Sequence, residues 1–261
     1  EAFASLMSQT YVYKIPCQRY ILLQNFDYVT EMIPFGMQWL NFGINQCVAT
    51  TNLQANLIKD VMPYVQTTVI NPYIPDMFFN DGKPKDLVVN IISKRQSDAY
   101  KIMKIFKWKY PMYEFVTFTD LRNMSRDYYA NFLKKGAITI WMDDETPFGY
   151  GALEAMRCGN IVIGKIPDRV QEWMVDEDDN LIDNAIWFNN IDTLPDILAE
   201  VIGSWMQDAI PQVLLDNMQK TNEKYSKQVW DVNVENFVNG IITNRIKEFE
   251  SIKDKVNNET K

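Results

Sequence analysis

Between Ala137 and Met142 the chain reads Ala-Ile-Thr-Ile-Trp-Met, six residues without a charge. It then turns through Pro147-Phe148-Gly149-Tyr150-Gly151 into Ala152-Leu153-Glu154-Ala155-Met156, and reaches a second uncharged run at Ile161-Val162-Ile163. The order is strand, glycine-bearing loop, short helix, strand. A strand with no polar side is buried on both faces, as in a parallel sheet covered by helices. The same alternation recurs: strands are expected at Asp86–Ile92, Tyr113–Phe118 and Ala185–Phe188, with helices at Asp98–Tyr110, Ser125–Lys135 and Leu194–Trp205. Such a sheet collects its ligands at the carboxyl ends of its strands. Ser93-Lys94-Arg95 and Asp143-Asp144-Glu145 both fall there.

The loop after Met142 has the makings of an anion site. The first N–H groups of a helix lack intrahelical acceptors, and the helix dipole favours negative charge there. Gly149 and Gly151 allow backbone to approach a ligand closely, or simply make a tight turn. Glu154 on the following helix can accept hydrogen bonds from sugar hydroxyls; its other reading is a carboxylate that complements the helix dipole. Phosphate and sugar recognised together point to a nucleotide or a nucleotide-sugar. Lys94 and Arg95 could pair with a diphosphate, Arg through its planar fork, or sit in a solvated turn. Gly159 reads as a helix C-cap.

Composition removes several chemistries. No histidine occurs among the 261 residues, which excludes a Ser-His-Asp triad, a Cys-His pair and His-ligated zinc. Cys17, Cys47 and Cys158 have no metal-ligand spacing, and no metal site is expected. The acidic runs at 143–145 and 176–179 read as solvated turns. With 26 Lys+Arg against 34 Asp+Glu the net charge is −8, so nucleic acid is not an expected partner. No run reaches the ~18–20 apolar residues of a membrane helix. The odd cysteine count and 13 methionines fit a reducing compartment, and a cytoplasmic location is expected.

The segment from Pro147 to Ile163 resembles the donor-site signature of retaining glycosyltransferases with two facing Rossmann-like domains, the group called family 4. That pattern is Glu-x-Phe-Gly-x-x-x-x-Glu-Ala-x-x-x-Gly followed by a short apolar strand. The chain supplies Phe148-Gly149, Glu154-Ala155, Gly159 and Ile161-Val162-Ile163, with Glu172 where the family often has a later glutamate. The family's first glutamate aligns with Thr146, which carries no charge. The likeness extends from about Tyr20 to about Phe237. It takes in strands near Tyr20 and Gln46 and a crossing between domains near Thr67–Pro75.

This resemblance implies an α/β protein with two Rossmann-like domains facing a cleft, the GT-B-like architecture. Residues 1–72 would be an acceptor-side domain, 73–235 the donor-binding domain and 236–261 a C-terminal helix crossing back, with Asn257 to Lys261 frayed. A full acceptor domain needs several strand–helix units, and only two or three fit before Asn71, so that domain is expected to be truncated. The implied activity is metal-independent transfer of a sugar, with retention, from a nucleoside-diphosphate sugar to a glycan or other acceptor, as in hexosyltransferases. No cofactor is implied; the nucleotide-sugar is donor substrate. Thr146 and Glu154 stand at the catalytic positions. Lys94, Arg95, Pro147, Phe148, Gly149, Tyr150, Gly151 and Glu154 would hold the donor. The alternative is a catalytically inactive binding or structural module that keeps the fold; a sugar-nucleotide epimerase is a weaker third reading.

Overall fold

The computed structural model describes residues 17–259, without the side chains of residue 96 and residues 254–259. Two parallel sheets are formed. The smaller has three strands in the order β1 (Tyr20–Leu23), β2 (Gln46–Ala49), β3 (Gln66–Val69). The larger has five strands in the order β5-β4-β6-β7-β8, built from β4 (Asp86–Ser93), β5 (Thr117–Asp120), β6 (Gly136–Met142), β7 (Ile161–Lys165) and β8 (Ile186–Phe188). Every pairing is parallel. The uncharged run becomes β6, buried at all seven positions in the middle of the larger sheet, as its lack of a polar face requires.

The helices follow the alternation: α1 (Asp27–Met32), α2 (Asn52–Val61), α3 (Gln96–Lys109), α4 (Arg126–Lys135), α5 (Tyr150–Arg157), α6 (Leu194–Met206), α7 (Gln212–Lys224) and α8 (Lys227–Glu259). Thr51 caps α2 by accepting from the Gln54 N–H at 3.1 Å, which satisfies one of the free donors of the first turn. Ser125 occupies the N-cap position of α4 without a side-chain capping bond. The strand expected at Tyr113–Phe118 begins later, at Thr117. Pro111 opens a short 3-10 turn over Pro111–Tyr113 instead, because its fixed φ suits a helical first position. The tail expected as one helix from Asp216 is broken at Tyr225–Ser226, and α8 starts at Lys227. Of the end expected to fray, residues 257–259 continue α8 and residues 260–261 lie outside those described.

Each sheet has its own apolar core. The larger holds Val89, Ile91, Ile138, Ile140, Trp141, Leu153 and Trp173 among many others; the smaller is built on Leu23, Trp39, Cys47 and Ile58. Between them the contacts are largely polar. Glu172 accepts from the Asn52 N–H at 3.0 Å, from Asn52 Nδ2 at 2.8 Å and from Asn71 Nδ2. Gln54 Nε2 donates to the Pro147 carbonyl at 3.2 Å, and Arg169 pairs with Asp27 at 3.0 Å. The helix α8 returns to the smaller sheet, where Phe237 meets Tyr20 edge to face at 5.6 Å. Among the described residues no helix is long and apolar enough to cross a membrane.

Candidate functional site

The loop from Asp143 to Gly149 runs from the carboxyl end of β6 to the start of α5, facing the smaller sheet. Gly149 has φ of +89° and precedes the first helical residue. A Cβ there would stand 2.8 Å from Trp173 Cζ2 and 3.3 Å from Trp141 Cζ2. The position therefore needs glycine twice over, for its left-handed backbone and for lack of space. Gly151 packs on Ile92, whose Cγ2 would lie 3.1 Å from an added Cβ. No side chain caps the first turn of α5, so its N–H groups face the loop uncapped, as an anion site requires. Phe148 is buried and packs edge-on against Tyr150 at 4.9 Å. Gly159, with φ of +79°, follows the end of α5 as a left-handed C-cap.

Three cavities meet at this loop. The first, about 480 Å³, lies between α1, α2 and residues 144–147 and 168–171. The second, about 410 Å³, sits at the carboxyl ends of β4, β6 and β7 and includes Lys94, Arg95 and Lys101. The third, about 310 Å³, lies between Gln24-Asn25 and Pro147-Phe148-Tyr150. Glu145 borders all three, so they surround one loop at the cleft between the two sheets.

The residues expected to hold a donor are distributed along that cleft. Lys94 lines the second and third cavities, but its ammonium is engaged, at 2.8 Å from Asp143 and 3.3 Å from the Glu145 carbonyl. Arg95 is exposed at the start of α3 and makes no side-chain pairing among the described residues. Lys101, one and a half turns along the same helix, borders the same cavity as Arg95. Thr146, at the position of the family's first glutamate, is buried, and its carbonyl accepts from Gln171 Nε2 at 3.1 Å. The exposed carboxylate at this place is its neighbour Glu145.

Glu154 lies on α5 with its side chain 8% exposed. Arg126 Nη2 donates to its Oε1 at 3.0 Å, and the Tyr129 hydroxyl hydrogen-bonds to the same carboxylate. Burial raises its pKa to about 7, and the Arg126 charge and the Tyr129 bond only partly counter this. Arg126 is itself 59% exposed, so water screens its charge and desolvation prevails. Tyr129 is driven upward by burial and by the adjacent Glu154 charge. Glu154 also borders a fourth cavity with Tyr150, Tyr73 and Trp230. Arg126 and Tyr129 come from α4, far from the motif in sequence, and no local pattern marked them. Glu172, at the position of the family's later glutamate, ties the two sheets through Asn52 and Asn71.

Solved structures share this fold. Sucrose-phosphate synthase from Thermosynechococcus elongatus superposes with a TM-score of 0.62 at 12% identity, over 92% of this chain and 70% of that one. Anabaena Alr3699/HepE, solved with UDP-glucose, gives 0.58 at 12% identity, over 85% and 72%. The fold is that of the GT-B glycosyltransferases. A curated relative, an alpha-1,6-glucosyltransferase of Actinobacillus pleuropneumoniae serotype 7 (strain AP76), is 32% identical over 98 residues, which are 37% of this chain and 30% of that protein. The chain thus matches less than a third of that relative's length. No family model matches the chain.

Proposed function

We propose that the chain is the sugar-transferring part of a glycosyltransferase. It would take a sugar from a nucleoside-diphosphate sugar, with retention and without a metal, and pass it to a glycan or other acceptor. The observation that supports this reading is the Gly149 turn into the uncapped start of α5, which stands between a cavity bordered by the cations Arg95 and Lys101 and another bordered by Glu154 and Tyr150. The diphosphate would lie against the α5 N–H groups, with Lys94 or Arg95 on its far side. Glu154 would accept the ribose hydroxyls, exchanging the Arg126 bond for them. The leaving diphosphate would be stabilised by these donors and cations and would take the acceptor's proton, leaving the protein to position the reactants. A reducing cytoplasmic setting accords with the unpaired cysteines.

The glucosyltransferase relative and the UDP-glucose bound by HepE make UDP-glucose the first donor to test. A thermal-shift screen of UDP, GDP, ADP, CMP and their sugars should give a rise in melting temperature with one nucleotide, lost in Glu154→Ala. No shift with any of them overturns the donor-site reading.

One observation favours a second reading, a module that binds nucleotide without turnover. The family's first glutamate is replaced by a buried, uncharged Thr146. If the bound sugar nucleotide is neither hydrolysed nor transferred, and Thr146→Glu restores turnover, the missing carboxylate explains the inactivity.

A further inference from the structure

Three acids follow β6 in succession, and the fold treats the third unlike the first two. Asp143 lies 2.8 Å from the ammonium of Lys94, just past the end of β4. Asp144 pairs with Lys165, the last residue of β7. Glu145 is exposed, and its carboxylate makes no hydrogen bond or ion pair among the described residues. Its one bond goes through the backbone carbonyl, which accepts from Lys94 Nζ at 3.3 Å.

The backbone that carries Glu145 is held carbonyl by carbonyl. Asp144 accepts from the Asp168 N–H at 3.3 Å, Thr146 from Gln171 Nε2 at 3.1 Å, Pro147 from Gln54 Nε2 at 3.2 Å and Phe148 from Trp173 Nε1 at 2.6 Å. With the Lys94 bond, every carbonyl from Asp144 to Phe148 has a donor, and the donors come from both sheet units. The Thr146 side chain is buried. Glu145 is thus the free acid of a tethered loop, and an acceptor on a pre-organised backbone binds with less ordering cost.

Its place decides what it meets. The third cavity, about 310 Å³, is bordered by Glu145 and by Tyr150, the first residue of α5, with Gln24, Asn25 and Thr50 from the smaller sheet unit. Lys94 and Glu145 are its charged lining residues, and Lys94 is engaged by Asp143. A diphosphate on the α5 N–H groups would leave the sugar it carries in this space. A carboxylate accepts hydrogen bonds without donating any, and such bonds are stronger than those between neutral groups. It also repels a second carboxylate.

We infer that Glu145 selects the sugar of the donor: it accepts from the hydroxyls of a neutral sugar and excludes a uronic acid. This inference rests on the donor-site reading above.

Calorimetric titration of the whole chain with UDP, UDP-glucose and UDP-glucuronic acid tests it, in wild type and in Glu145→Gln. Wild type should bind UDP-glucose about tenfold or more tightly than UDP-glucuronic acid. In Glu145→Gln, UDP-glucose should weaken by about threefold or more while UDP-glucuronic acid tightens, so that the preference disappears. The variant alters an exposed side chain without partners, and its melting temperature should match that of wild type. A field effect alone has a different signature: removing one negative charge near the phosphates would tighten all three ligands by a common factor, and that result would overturn the inference. So would equal binding of the two sugar nucleotides by wild type, or a preference unchanged in Glu145→Gln. UDP separates the two proposals. If UDP binds and the sugar preference is absent, this inference alone fails; if none of the three ligands binds wild type, the donor-site reading fails and this inference with it.

Discussion

The Trp173 indole N–H donates to the Phe148 carbonyl oxygen at 2.6 Å while the same ring occupies the space beside Gly149. One buried side chain thus fixes the loop before α5 from below, by a hydrogen bond at one residue and by steric exclusion at the next. Trp141 and Trp187 pack around it at ring-centroid distances of 5.9 and 5.8 Å, so the ring has no room to retreat.

Gly149→Ala should accordingly be costly. It combines a left-handed backbone with a Cβ 2.8 Å from an immobile ring. The expected loss is about 2–4 kcal/mol, read as a lower urea midpoint at unchanged slope. Gly82→Ala, also at positive φ but with nothing within 4 Å, isolates the backbone share and should cost about 1 kcal/mol. Equal losses at both positions would show that Trp173 yields.

Glu154 makes stability depend on pH. Its pKa is raised from 4.5 to about 7, so between those values the folded chain holds a proton that the unfolded chain has released. This contribution is fully present below about 4.5 and is lost as pH rises through about 7, a change on the order of 3 kcal/mol. Glu154→Gln, which cannot ionise, should be relatively more stable than wild type at pH 8 than at pH 5. Denaturation midpoints that run parallel for the two proteins across that range would show that the carboxylate ionises as freely as in water.

Arg95 and Lys101 are exposed and border one cavity. Arg95→Glu/Lys101→Glu should weaken nucleotide-diphosphate binding tenfold or more, at least about 1.4 kcal/mol, while the melting curve without ligand stays within about 0.5 kcal/mol of wild type. Calorimetric titration with UDP measures the first and thermal unfolding the second. Unchanged affinity would place the phosphates wholly on the α5 N–H groups.

Lys85 joins three elements through one ammonium. Its Nζ donates to the carbonyls of Leu133 at 3.3 Å and Lys134 at 3.0 Å near the end of α4, and to the Cys158 carbonyl at the end of α5. A cation at two helix C-termini meets both free carbonyls and both negative dipole ends. Lys85→Met keeps the stem and should cost about 1–3 kcal/mol. Hydrogen exchange should rise first in the last turns of α4 and α5; a uniform rise would mean that Lys85 acts on global stability instead.

The larger sheet was legible because its central strand lacks a polar side. An uncharged run such as Ala137–Met142 has no stable place except between two layers of helices. Gly149, Glu154, Lys94 and Arg95 were legible because a loop entering a helix at a sheet edge has few chemical uses. Arg126 and Tyr129 were not, since their contact with Glu154 arises only when α4 and α5 pack side by side. The break at Tyr225–Ser226 went unseen because no Gly or Pro marks it. There the Tyr225 carbonyl, free at the end of α7, accepts from the Ile74 N–H at 3.0 Å, and the Ser226 hydroxyl accepts from the Val229 N–H at 3.4 Å as α8 begins.

The separate cores of the two sheets give the cleft walls of unequal stiffness. On one side the loop rests on three stacked tryptophans and a five-stranded sheet. On the other, among the described residues, α1 and α2 rest on a three-stranded sheet with a core of ten buried residues. Segments with less buried apolar contact open at lower free energy. The wall formed by the 143–149 loop would then behave as a mould, and the opposite wall as a cushion that shapes itself to whatever is brought in. Such a division lets a protein be strict about one ligand and lenient about the outline of the other.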